Sequence, residues 1–164
     1  MIIKEVLSFD TEPTDEDVLS FVKKNKLLYS AVCRAIQVKE RPRISSPAMV
    51  FALFCSAFER EQEMAAIIAL RRDGQVLGVQ EISRGTRHAT MMDPSEIIIA
   101  AAKLGATSVI LLHCHPSGDS RPSDDDVRVT EAIGEALKTC RMELVDHVIV
   151  GAADYTSLKA EGYI

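Results

Sequence analysis

An apolar run from Thr107 to Leu112 ends in His113-Cys114-His115-Pro116-Ser117-Gly118 and then, after a short polar stretch, in Ser123-Asp124-Asp125-Asp126. That passage dictates a strand, a reversal and a helix start. Side chains alternate along a strand with a period of two, so both imidazoles project from one face. Pro116 offers no ladder donor and Gly118 tolerates backbone angles closed to other residues, so the segment to Pro122 is a tight loop. Such a loop can bring Asp126 back toward the histidines. Two imidazoles and a carboxylate fit the usual catalytic zinc set, with three protein ligands at roughly 2.0 to 2.2 Å and water in the fourth position. Ser123-x-x-Asp126 also reads as a capping box, with three acidic residues at the positive end of the helix dipole. The two readings are compatible, because a serine at a helix N-terminus can hold the helix and still point its hydroxyl into a cleft.

The pattern H-x-H, seven residues, S-x-x-D resembles the signature of the JAB/MPN (JAMM) metalloprotease fold. The HPSG run followed by Pro122-Ser123, with Glu81-Ile82-Ser83-Arg84-Gly85-Thr86 and Val145-Asp146-His147-Val148-Ile149-Val150-Gly151, is similar to its bacterial RadC branch. The likeness runs from about Ile44 to the C-terminus. It implies an α/β fold, a mixed β-sheet flanked by helices in the JAB/MPN (cytidine-deaminase-like) architecture. It also implies one zinc ion held by His113, His115 and Asp126, with Ser123 helping to stabilise an oxyanion and an earlier glutamate acting as general base. Glu63, just ahead of the apolar run Ala65 to Leu70, is the first choice for that base. Glu81, at the end of the following strand, and Glu61 are the alternatives, and all three also suit solvated positions. The chemistry implied is amide hydrolysis, in which zinc lowers the pKa of its water to roughly 7 and the glutamate takes the proton, later passing it to the leaving amine.

Two features depart from the RadC pattern. Cys114 stands where asparagine is usual, and strand alternation turns it away from the ligands into a buried position. Upstream, longer RadC-like proteins begin with a helical domain resembling helix-hairpin-helix DNA binders, for which this sequence of 164 residues has no room. A chain of this length, 47% hydrophobic, is sized for one core that buries about two-thirds of its unfolded surface.

A net charge of -5 argues against a broad nucleic-acid footprint, which relies on clustered Lys and Arg. Arg34, Lys39, Arg41 and Arg43 form the dense basic stretch, interrupted by Glu40, and read as a solvated edge. With no tryptophan and 5% aromatic residues, a base-stacking surface is disfavoured. Cys33, Cys55, Cys114 and Cys140 contain no C-x-x-C pair and suggest reduced thiols in a cytoplasm. The N-terminus lacks a signal-like core, and no run approaches the roughly 20 apolar residues of a membrane span.

A helix from Thr14 to about Lys24 and an extended segment from Tyr29 to Val38 are expected as an N-terminal appendage, residues 1–45, with Lys39 to Arg43 as linker or exposed turn. The RadC-like domain is expected over 46–164. Ser46 caps and Pro47 opens a helix with a core stripe of Met49, Val50, Leu53, Phe54 and Phe58. A hairpin follows, Ala65 to Arg71 and Val76 to Ile82, turning at Asp73-Gly74. Asp93, with Glu96 three residues on, caps a helix facing Ile97, Ile98, Ala101 and Leu104 inward, and Gly105 ends it. The zinc strand, a helix to Thr139, a strand from Glu143 to Val150 and a short helix from Tyr155 to Ala160 complete a mixed sheet with helices against it.

His147 reads as a satisfied structural histidine or a group behind the ligands, His88 as a polar-loop residue or cleft lining, and Asp119 and Arg121 as solvated loop charges or substrate contacts. Three functions stay open. The first is a zinc-dependent peptidase or isopeptidase acting on a peptide or protein tail held beside a sheet edge. The second is a RadC-type role associated with DNA repair, with direct nucleic-acid binding disfavoured by charge, and the third is a non-catalytic interaction scaffold. The sequence sets no oligomeric state.

Overall fold

Two stretches too apolar to have a wet side, Ala65 to Leu70 and Val109 to Leu112, become the middle of a sheet buried on both faces. The computed structural model describes residues 42–54, 63–85 and 92–164. Its elements are α1 (Pro47–Phe54), β1 (Glu63–Leu70), β2 (Val76–Gly85), α2 (Pro94–Lys103), β3 (Ser108–Cys114), α3 (Asp124–Thr139), β4 (Glu143–Val150) and β5 (Tyr155–Ser157). The expected N-terminal helix and extended segment lie outside the described residues, as do Phe58, Glu61 and His88.

The sheet runs in the order β2-β1-β3-β4-β5. β1 pairs antiparallel with both β2 and β3, β3 pairs parallel with β4 through the α3 crossover, and β5 returns antiparallel on β4. This is the expected mixed α/β architecture. On one face α1 contributes Val50, Phe51, Leu53 and Phe54 to a core with Met64, Ala66, Ile68, Leu112, Cys114 and Val150. On the other, α2 and α3 cover Ala65, Ile67, Ala69, Val109 and Leu111 with Ile97, Ala101, Ile133 and Leu137.

Local chemistry explains the boundaries. Ser46 Oγ accepts the Met49 N–H at the start of α1, and Asp93 accepts from the Ser95 N–H at 2.7 Å at the start of α2. Ile97 and Ala101 are buried on α2 as expected, while Ile98 and Leu104 are half-buried. Gly105, at φ 69°, ends the helix in the left-handed conformation that costs glycine least. The hairpin turn places Gly74 at φ 80°, and the Pro42 carbonyl accepts the Val76 N–H beside it.

One expected element is corrected. Tyr155 to Ala160 is not a short helix: Tyr155–Ser157 is a strand, followed by turns. The reason is tertiary. The open edge of β4 pairs Val148 with Ser157 and Val150 with Tyr155, and the buried Asp146 carboxylate accepts from Ser157 Oγ at 2.7 Å and Lys159 N–H at 3.1 Å. Those bonds outweigh the local preference for a helical turn.

Candidate metal centre

β3 carries His113 on its penultimate residue, and His115 lies just past its end. His113 registers with Ala65 of β1 and so faces the α2–α3 side of the sheet, whereas Cys114 registers with Met64 and packs in the core under α1. The expected separation of Cys114 from the ligand face is therefore observed. Past Pro116 the chain folds back: the Gly118 N–H donates to the His115 carbonyl at 3.0 Å, with Gly118 at φ 76°. The loop then leads into α3, and its capping box is complete. Ser123 Oγ accepts the Asp126 N–H at 3.1 Å, and Asp126 Oδ2 accepts the Ser123 N–H at 2.8 Å and the Ser123 hydroxyl at 2.6 Å.

This cap aims Asp126 at the imidazoles. Asp126 Oδ1 lies 2.9 Å from His113 Nδ1, and Oδ2 lies 3.4 Å from His115 Nε2. The two histidine rings stand nearly perpendicular, with centroids 4.7 Å apart. One ligand atom from each of the three residues falls within 4.8 Å of the others, so the group can hold a metal ion. All three residues are at least partly buried, His113 being 4% exposed and Asp126 5%.

The donor chemistry fits a metal. The His115 Nδ1–H donates to the Asp119 carbonyl at 2.8 Å, which leaves the Nε2 lone pair available as a ligand. Both ring nitrogens of His113 are buried without a hydrogen bond of acceptable angle among the described residues, although Nδ1 is close to Asp126. Two polar atoms held together but not aimed at each other are what a shared third body requires. Burial alone would raise the Asp126 pKa, but the His113, His115 and Ser123 contacts outweigh it and hold the carboxyl well below the usual range. Asp126 raises the His115 pKa in turn, against an opposing effect of burial.

The glutamates separate by face. Glu63 opens β1 two residues before Ala65, hence on the face of His113, and its negative charge is felt at His115. Glu81 registers with Ala66, on the α1 face, where its carboxylate binds Arg84 Nε at 3.1 Å and Nη2 at 2.9 Å. Asp119 and Arg121 pair with each other on the exposed loop, at 2.5 Å, and the guanidinium holds the Asp119 carboxyl down at about 2. Arg43 likewise pairs with Asp73, at 2.7 Å.

The family model of the RadC-like JAB domain matches residues 44–163. The chain belongs to that family. Among proteins similar to this RadC-like chain, a UPF0758 protein of Syntrophomonas wolfei is 41% identical over 104 residues, 63% of this chain and 44% of that protein. A UPF0758 protein of Methanosarcina mazei is 38% identical over 124 residues, 74% of this chain and 54% of that one. Another, of Alkaliphilus metalliredigens, is 36% identical over 118 residues, 71% and 51% respectively. The chain spans about half the length of the curated relatives it matches.

Two polar residues of this RadC-like site went unnoticed in the sequence. Thr130 sits one turn after Asp126 on the buried stripe Asp126, Thr130, Ile133 and Leu137, a spacing that was there to be read. Ser83 registers with Ala65 in the same cross-sheet row as His113, and its buried Oγ has no hydrogen-bond partner among the described residues. Nothing in its neighbours signals that. His147 is fully buried, with Nδ1 bonded to Thr130 Oγ1 and Nε2 without a partner among the described residues.

Proposed function

We propose that this chain is a zinc-dependent hydrolase of the JAMM type, a metallopeptidase or isopeptidase that cleaves amide bonds in a peptide or protein tail. The observation that carries the reading is the convergence of His113, His115 and Asp126 beside a glutamate on the same sheet face. A bound zinc ion supplies Lewis acidity and a coordinated water whose pKa falls to roughly 7.

The chain's own residues do the rest. The Asp119 carbonyl fixes the His115 tautomer, and the cap at Ser123 fixes the Asp126 carboxylate. Glu63 accepts a proton from the attacking water and returns it to the leaving amine nitrogen, general acid–base work that contributes typically 10²- to 10⁴-fold, about 3 to 5 kcal/mol. Ser123 Oγ–H now donates to Asp126. Turned to a developing oxyanion, it supplies on the order of 3 kcal/mol, while the Ser123 N–H keeps Asp126 in place. The tail lies beside the sheet, where backbone pairing fixes its register.

The test is metal analysis together with peptide hydrolysis. Purified protein is expected to carry about one zinc per chain. His113→Ala and Asp126→Ala are expected to lose it, and Glu63→Gln to keep it while hydrolysis falls by roughly 10²-fold or more. Stoichiometric zinc in both ligand variants overturns the ligand set. Unchanged hydrolysis in Glu63→Gln removes Glu63 as the base.

A further inference from the structure

His147 lies on β4, diagonal to His113 on the neighbouring strand, and no step assigned above uses it. Its ring is fully buried and nearly parallel to that of His113, with centroids 6.0 Å apart and 12° between planes. Its Nδ1 sits 2.6 Å from Thr130 Oγ1, which sits 2.5 Å from the backbone carbonyl of Asp126. We propose that His147 is a positioning residue of the metal centre, a clamp that ties β4, where its ring lies against that of His113, to the helix bearing Asp126. The inference rests on the metal-site reading above.

The proton count fixes the direction of the link. Thr130 has one hydroxyl proton and the carbonyl can only accept, so Thr130 donates to Asp126 and accepts from the His147 Nδ1–H. The opposite arrangement would leave a buried N–H at Nε2 with no acceptor among the described residues, a rarer defect than an under-used lone pair. The ring is wholly buried, which favours its uncharged form, and so it can keep one fixed tautomer. The first turn of α3 is then held from two sides, by the Ser123 cap in front and by Thr130 and His147 behind. A ligand carboxylate can be no better placed than the backbone that carries it.

The experiment is a titration of metal-free protein with cobalt(II), which reports affinity and, through its visible band, ligand geometry. Thr130→Val and His147→Phe are each expected to raise the cobalt Kd by 10- to 100-fold and to alter the band. Because both cut the same link, the double variant is expected to be no weaker than the weaker single one. Thr130→Ser, which keeps the hydroxyl, is expected to restore wild-type binding. Thr139→Val is the control: Thr139 Oγ1 makes the same kind of bond, to the Glu135 carbonyl at 3.0 Å, far along the helix, and its loss is expected to leave the Kd unchanged. Melting of the metal-free variants separates clamp from scaffold, and if His147→Phe fails to fold, Thr130→Val decides alone. A lower melting temperature with wild-type Kd and band overturns the inference. A wild-type protein that takes neither cobalt nor zinc instead overturns the metal-site reading, and the clamp falls with it.

Discussion

Cys114 sits between two candidate ligands in sequence and on the other side of the sheet in space. Burial, its largest influence, pushes the thiol pKa up, so it is a poor nucleophile at neutral pH. Alkylation followed by peptide mass spectrometry is expected to label the exposed Cys140 well before Cys114; equal rates would show that β3 opens readily at its end. The same alternation rule that places Cys114 puts Glu63 on the face of Ala65, which is legible in the sequence; that His113 shares this face follows from the β1–β3 register, which is not. The face of Glu81 was not legible either. A hairpin closing at Leu70 and Val76 without irregularity would set Glu81 opposite Ala65, on the ligand face. A bulge between Ala69 and Leu70 shifts it by one residue, opposite Ala66 and onto the other face. A one-residue slip carries no compositional mark, so two glutamates that look equivalent in sequence end on opposite sides.

Among the elements, the loop after His115 and the turn after β4 hold each other by backbone contact. The Ala152 N–H donates to the Gly118 carbonyl at 2.8 Å, and a Cβ at Gly151 would lie 2.9 Å from that same oxygen and 2.4 Å from Asp154 Oδ1. The Asp154 side chain can move aside, but the carbonyl cannot without shifting the loop that presents His115. Gly151→Ala is therefore expected to cost about 1 to 3 kcal/mol in chemical denaturation and to lower zinc content. Wild-type stability and zinc content would show that the two loops yield independently. The sequence marked Gly118 as a turn residue but not its contact with the turn after β4, because that distance depends on β3 and β4 lying side by side in parallel, with Cys114 opposite Val150. The return of Tyr155–Ser157 along β4 was itself misread as a helix. The stabilising partner of Tyr155–Ser157 is a strand edge far from it in the chain, invisible to any local pattern.

For the molecule as a whole, a fully buried neutral imidazole makes stability sensitive to acid. The folded-state pKa of His147, about 3, lies below its unfolded value near 6.5, so its contribution is present above pH 6.5 and declines as pH falls toward 3. His115, whose pKa is raised, works in the opposite sense, which makes comparison between variants the cleaner measurement. In metal-free protein, the wild type is expected to lose about 2 kcal/mol more than His147→Phe between pH 7 and pH 5, read from denaturant melts at each pH. Parallel pH profiles would show that the buried ring is readily hydrated. The layered architecture was legible because the runs of β1 and β3 are apolar on both faces and α2 and α3 carry one-sided stripes. β3 spends its length in the core and offers His113 at its penultimate residue and His115 just beyond its end. The foundation and the chemistry are thus separately editable: exchanging the tip and its loop can retune or silence the centre while the scaffold beneath endures, a division that lets descendants of one fold diverge in use.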